Sequence, residues 1–290
     1  MKHWLLVAGI SVSLMYGSLC GLFYLTQKQL IFVPPGKMSP PPAGYDIEEI
    51  NFTTSDGNRL NGWFIDNDGD RTVLFCHGNG ANISNLEFFM KIFQEIGLNA
   101  LFFDYRGYGK SGGSIRAEED LYRDVIAAHQ YLREEKGFTS DRIIVWGRSI
   151  GGAPALELAR RENLHAVILQ STFTSLTERI QEMAPVIPVK PLSKFHYPNR
   201  EKIGRIGSPI LIVHSVDDGL IPFSHGQALY RAAKEPKSLI TLTGPHNSVP
   251  DECVPVLLNG VKSFIDEPYK GVYRCDPESD NGGATKSTSR

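Results

Sequence analysis

The motif Gly147-Arg148-Ser149-Ile150-Gly151 follows the apolar run Ile143-Ile144-Val145-Trp146 and leads into the small residues Gly152-Ala153. A serine on such a sharp strand-to-helix turn is lifted clear of a sheet, where its hydroxyl can attack an acyl carbon. A hydroxyl is a weak nucleophile at neutral pH. The chemistry therefore requires a general base, an acid to orient that base, and N–H donors for the oxyanion. His246, in Gly244-Pro245-His246-Asn247 just after the last predicted strand, is the expected base. Its rival, His225, falls in a helical run and reads as a solvated histidine at a helix start. The chain order Ser, Asp, His points to Asp217-Asp218, which follow the strand-like run 210–214, for the acid. Adjacent side chains point to different sides, and the turn toward Ile221-Pro222 favours Asp218 over Asp217. Asp218 would then hold the Nδ1 proton of His246 and leave Nε2 free to deprotonate Ser149. For the oxyanion, the backbone N–H of Ile150 is expected to act with one from the loop His77-Gly78-Asn79-Gly80, assigned to Asn79 with Gly80 in reserve. His77 reads as a pin for that loop.

Other residues of reactive type find weaker surroundings. Gly109-Lys110-Ser111-Gly112-Gly113 is a second G-x-S-x-G, but more Gly and Ser follow it instead of a helix. As the end of a phosphate-cradling G-x-x-x-x-G-K-[ST] loop it lacks the first glycine, where Asp104 stands. The four cysteines, Cys20, Cys76, Cys253 and Cys275, form neither a disulfide framework nor a zinc spacing. Cys76 precedes His77, yet at the end of an apolar strand it reads as a small buried hydrophobe. The serine chemistry needs no metal and no cofactor.

The elements that must position these groups read as an α/β domain over residues 45–267. Residues 46–53 and 59–65 flank Ser55-Asp56-Gly57-Asn58 as an edge hairpin. Runs at 72–76, 100–104, 143–146, 166–169, 210–214 and 239–242 read as strands buried on both faces of a mostly parallel sheet, with helices between them. The helical pattern of residues 117–133 is a core stripe. Residues 172–207, with Pro185, Pro188, Pro191 and Pro198, are too long for a connection and too irregular for one helix, and are expected to form a small lid. Ahead of the domain, the uncharged residues 4–25 would span about 33 Å as a helix, enough for one membrane crossing. They exceed a signal-peptide core and are followed by no small-residue cleavage site, which favours an uncleaved anchor of undetermined orientation. The Pro-rich residues 26–44 read as a stiff connector, and residues 275–290 as a disordered tail. A net charge of -2, with basic residues scattered, gives nucleic acid nothing to bind.

The chain resembles the alpha/beta-hydrolase superfamily, and most closely its membrane-anchored serine hydrolases of the alpha/beta-hydrolase-domain type and their bacterial relatives. His77 to Gly80, Asp104-Tyr105-Arg106-Gly107-Tyr108-Gly109-Lys110-Ser111, the Ser149 pentapeptide, and the pair His214 to Pro222 with Gly244 to Asn247 carry the resemblance, in the family's order. It implies an eight-stranded hydrolase sheet and a structural loop at Asp104 to Ser111 near the active site. It also agrees with Asp218 as the acid, since the family often has His-Gly-x-x-Asp-x-x-Val-Pro there; this chain departs from that pattern at Ser215 and Ile221. The expected activity is hydrolysis of a carboxylic ester or thioester of a small-molecule or lipid-like acyl substrate at a membrane. An aminopeptidase-like serine peptidase is the nearest alternative and would need a carboxylate for the substrate amine, for which Glu178 and Glu182 are at hand. A non-catalytic membrane scaffold is the other.

Overall fold

A computed structural model describes residues 1–268 and 271–275. The chain runs α1 (Lys2–Ile31), β1 (Ile47–Thr53), β2 (Arg59–Ile65), β3 (Thr72–Cys76), α2 (Glu87–Glu95), β4 (Asn99–Phe103), α3 (Glu118–Glu134), β5 (Ile143–Arg148) and α4 (Gly152–Arg161). It continues through β6 (Ala166–Gln170), α5 (Leu176–Met183), α6 (Val189–Leu192), α7 (Asn199–Ile203), β7 (Ile210–Ser215), α8 (Phe223–Ala232), β8 (Lys237–Leu242), α9 (Val254–Asp266) and β9 (Gly271–Arg274).

The strands form one sheet in the order β1-β2-β4-β3-β5-β6-β7-β8-β9. The β1–β2 hairpin is antiparallel and β2 joins β4 antiparallel, while every other pairing is parallel. Parallel strands with helices on both faces must be apolar on both, and alternate residues of β3 show it. Leu74 and Cys76 pack in a cluster with Leu121, Leu156 and Leu229, so that α3, α4 and α8 cover one face. Val73 and Phe75 pack with Phe93, Trp146, Leu257 and Phe264, so that α2 and α9 cover the other. β5, which delivers the serine motif, is the central strand.

Three expectations need correction. The sheet has nine strands, not eight: β9, parallel to β8, buries Tyr273 and was too short for any periodicity to reveal it. Cys275 does not begin a free tail, because it is disulfide-bonded to Cys253 and its N–H donates to Thr241 O at 2.9 Å. This pairing depends on β9 lying along β8, a long-range register that cysteine spacing does not encode. The other expected tail residues, 276–290, lie outside the described residues. Finally, α1 continues past residue 25 to Ile31 because its polar last turns dock on the domain, where Phe23, Gln27 and Ile31 are buried.

Candidate active site

Ser149 follows β5 directly, in a single 3-10 turn that opens α4, with φ at 54°. Left-handed backbone costs a side-chain-bearing residue about 1–2 kcal/mol, so the surroundings must enforce it. Gly147 and Gly151 make room for the tight turn: a Cβ on Gly147 would lie 2.6 Å from Gly151 O, and one on Gly151 2.1 Å from Cys76 O. Thr172, just beyond the end of β6, holds it from the other side, its hydroxyl donating to Ser149 O at 2.6 Å. The serine is 8% exposed.

His246 comes from the loop after β8. Its Nε2 lies 3.2 Å from Ser149 Oγ and its Nδ1 2.7 Å from Asp218 Oδ2. Asp218 is buried after β7, and its Oδ1 accepts the N–H groups of Leu220 at 2.9 Å and Ile221 at 2.7 Å. Burial opposes its charge, but the His246 imidazole, the Ile221 N–H and the neighbouring histidines outweigh that and hold the carboxyl below its ordinary range. Asp217 is exposed and turns away, accepting the Gly244 N–H at 3.0 Å, which fastens the histidine loop from outside. The structure thus brings Ser149, His246 and Asp218 together and leaves Asp217 apart.

Sequence reasoning missed two supports. Thr172 is one, and Arg148 is the other: its guanidinium donates to His246 O at 2.8 Å. Both act on main-chain carbonyls, which no side-chain pattern betrays. Arg148 also lines a cavity of about 310 Å³ beside His246, together with Phe88, Phe89, Gln170 and Val249. On the oxyanion side, a Cβ on Gly78 would sit 3.4 Å from Ser149 Cβ, so the loop after β3 passes close to the serine. Asn79 is exposed, and its side-chain oxygen accepts from Val33 N–H and Tyr108 OH, both at 2.9 Å. These bonds fix the Asn79 side chain through its acceptor oxygen and leave the backbone N–H, the donor expected for an oxyanion, unspent by them. Ile150 is buried beside the serine.

The remaining candidates are occupied elsewhere. Ser111 donates to Asp104 O at 2.6 Å and accepts from Asn61 N–H, clamping its loop to β2. Cys76 is fully buried, and burial pushes its thiol far above the ordinary range. His77 is buried with its Nε2 3.7 Å from Asp104 Oδ1; burial lowers His77 to about 4 and raises Asp104 to about 7. His225 is not solvated as expected. It is buried between Thr174 and Glu182, because α8 packs under the 172–207 segment. Glu178 is bound by Thr174 and Arg200, and Glu182 by Arg179 and His225. Both carboxylates are thus already paired, Glu182 through Oε2 alone. Among the described residues no three His, Cys, Asp or Glu side chains gather as a metal site.

The profile of the family described as serine aminopeptidase, S33, matches residues 67–201. An uncharacterized protein of Mycobacterium tuberculosis strain H37Rv is 31% identical over 265 residues, 88% of this chain and 93% of its own. Human alpha/beta hydrolase domain-containing protein 17B is 36% identical over 227 residues, 76% of each chain. Among solved structures, the Pyrococcus furiosus esterase Pf2001 superposes with a TM-score of 0.69 at 21% identity, covering 82% of this chain and 98% of its own, a likeness of fold.

Proposed function

The chain belongs to the alpha/beta-hydrolase superfamily, and we propose that it is a membrane-anchored serine hydrolase that cleaves a carboxylic ester or thioester through an acyl-Ser149 intermediate. The observation that carries this reading is the chain of contacts from Ser149 Oγ through His246 to Asp218, at 3.2 Å and 2.7 Å, on a serine held at positive φ. His246 Nε2 takes the hydroxyl proton as Oγ bonds to the acyl carbon, and Asp218 stabilises the imidazolium that forms. The oxyanion is received by the backbone N–H groups of Ile150 and Asn79, each such donor being worth about 10²–10³ in rate. The imidazolium then protonates the departing alkoxide or thiolate. Water, deprotonated by His246, attacks the acyl carbon, and the acid leaves as the proton returns to Ser149.

α1 is the element long and apolar enough to span a membrane. That it serves as a retained anchor and not a cleaved leader is supported by its own last turns, since Phe23, Gln27 and Ile31 are buried against the domain. The residues 172–207 form the lid of this reading. The pairing of Glu178 and Glu182 favours an ester or thioester over a peptide with a free amine.

Labelling with a fluorophosphonate probe, followed by turnover of matched p-nitrophenyl ester, thioester and aminoacyl-amide substrates, tests the reading. Ser149→Ala is expected to fold, lose the label and lose turnover. Equal turnover by the two proteins removes the nucleophile, preference for the amide makes the enzyme a peptidase, and a folded wild type with neither label nor turnover is a scaffold.

A further inference from the structure

α1 touches the domain well inside its uncharged stretch. Near the helix end, Phe32 stacks edge-on against Phe195, and the Gln27 amide bridges Leu192 O and Lys194 N–H. One turn earlier the Lys194 ammonium stands 4.1 Å over the Tyr24 ring. Farther along, the Tyr16 hydroxyl donates to Val186 O at 3.0 Å. Tyr16 precedes Leu25, the last of the uncharged residues, by about 13 Å of helix. A hydrocarbon core about 30 Å thick around residues 4–25 would therefore place Val186 far below its surface.

The loop that carries Val186 has the chemistry such a position demands. Residues 183–189 contain no charged side chain, and Met183 and Val186 point outward at 60% and 67% exposure. Lipid tolerates irregular backbone only where its polar groups are satisfied internally. Here Pro185 and Pro188 have no N–H, and the N–H groups of Ala184, Ile187 and Val189 donate to Ile180 O, Ala184 O and Ile187 O. The Gln181 amide donates to Ala184 O and Pro185 O and accepts from Val189 N–H, and Tyr16 satisfies Val186 O, so that among the amide N–H groups of residues 183–189 Val186 alone makes no hydrogen bond. The cations Lys190 and Lys194 follow where the chain returns, with Lys194 level with Tyr24, the aromatic and basic pairing typical of a membrane interface.

We infer that residues 183–189 insert into the domain-side leaflet of a lipid bilayer alongside α1, so that the lid is embedded in the membrane and does not hover above it. This rests on the reading of α1 as an anchor. Through α5 the inserted loop is tied to the acid loop, Arg179 Nε donating to Leu220 O at 2.7 Å, two residues from Asp218. An acyl chain held in that leaflet thus meets the lid before it meets water.

Full-length protein in phosphatidylcholine vesicles, with Cys20→Ser to leave only the buried Cys76 and the Cys253–Cys275 pair, allows single nitroxide labels at Val186→Cys, Met183→Cys, Leu14→Cys and Lys234→Cys. Relaxation by oxygen against a water-soluble nickel chelate reports depth. The labels at 183 and 186 are expected to favour oxygen several-fold, as the one at 14 does, with the label at 234 reading as water. If 183 and 186 read as water while 14 reads as lipid, the anchor stands and the insertion is overturned. If 14 also reads as water, the anchor falls and takes the insertion with it.

Discussion

Asp217 and Asp218 have the same side chain and adjacent positions, and their surroundings give them different work. Asp218 is enclosed, with both carboxylate oxygens spent on His246 and on two backbone N–H groups, whereas Asp217 is in solvent with one bond to Gly244. Asp218→Asn would keep the shape but present an amide that cannot hold Nδ1–H, and by analogy with other triads turnover should fall by about 10⁴. Asp217→Asn keeps an acceptor for Gly244 and should cost less than about tenfold, being an exposed hydrogen bond only. The kcat/KM ratio of the two variants on one ester decides between them, and a larger loss at Asp217 would exchange their roles. Much of this geometry was legible beforehand, because Ser149 and His246 stand beside strand ends in a fixed chain order and the turn at Ile221-Pro222 distinguished one aspartate. Arg148 and Thr172 were not legible as supports. Their partners are carbonyls brought near only by the folded sheet.

At the scale of elements, legibility followed hydrophobic pattern. β3 through β8 are nearly unbroken apolar runs because both faces are buried, and α3 keeps a regular stripe. The short helices α5, α6 and α7 have too few turns and too many intervening prolines for a period to emerge, and β9 has four residues. The junction of α1 with residues 186–195 left the least trace, since its central contact is one glutamine. Gln27 is 1% exposed and serves Leu192 O and Lys194 N–H together. Gln27→Ala leaves that carbonyl and that N–H without partners, at a cost of about 1–3 kcal/mol. Opening of the 184–195 segment should then become roughly tenfold or more frequent, since about 1.4 kcal/mol is a factor of ten in an equilibrium. Tryptic cleavage after Lys194 in detergent-solubilised protein measures it. A rate equal to wild type would mean that the end of α1 does not brace this segment.

Considered as a whole molecule, the chain is secured at both ends of its sheet-forming domain. α1 packs on residues 186–195, and the segment behind it reaches the loop beyond β3, Val33 N–H donating to the Asn79 side chain. At the other end β9 closes the sheet and Cys275 is bonded to Cys253, 22 residues earlier. That bond lies behind the histidine loop: Cys253 Sγ is 3.2 Å from Thr243 Oγ1, three residues before His246. A cross-link over a loop of this length restricts the unfolded chain by about 3 kcal/mol. β9 is nonetheless four strands from β5, roughly 19 Å at ordinary strand spacing, so the Ser149 elbow should not sense its loss. Cys275→Ser should therefore lower Tm, on the order of 10 °C for a domain of this size, with turnover at 25 °C within a few-fold of wild type. A reductant should bring the wild-type Tm down to that of the variant and leave the variant unmoved. If it leaves both unmoved, the two cysteines are not bonded in solution. If the variant keeps its Tm but loses turnover, the bond holds the histidine loop in place and not the fold.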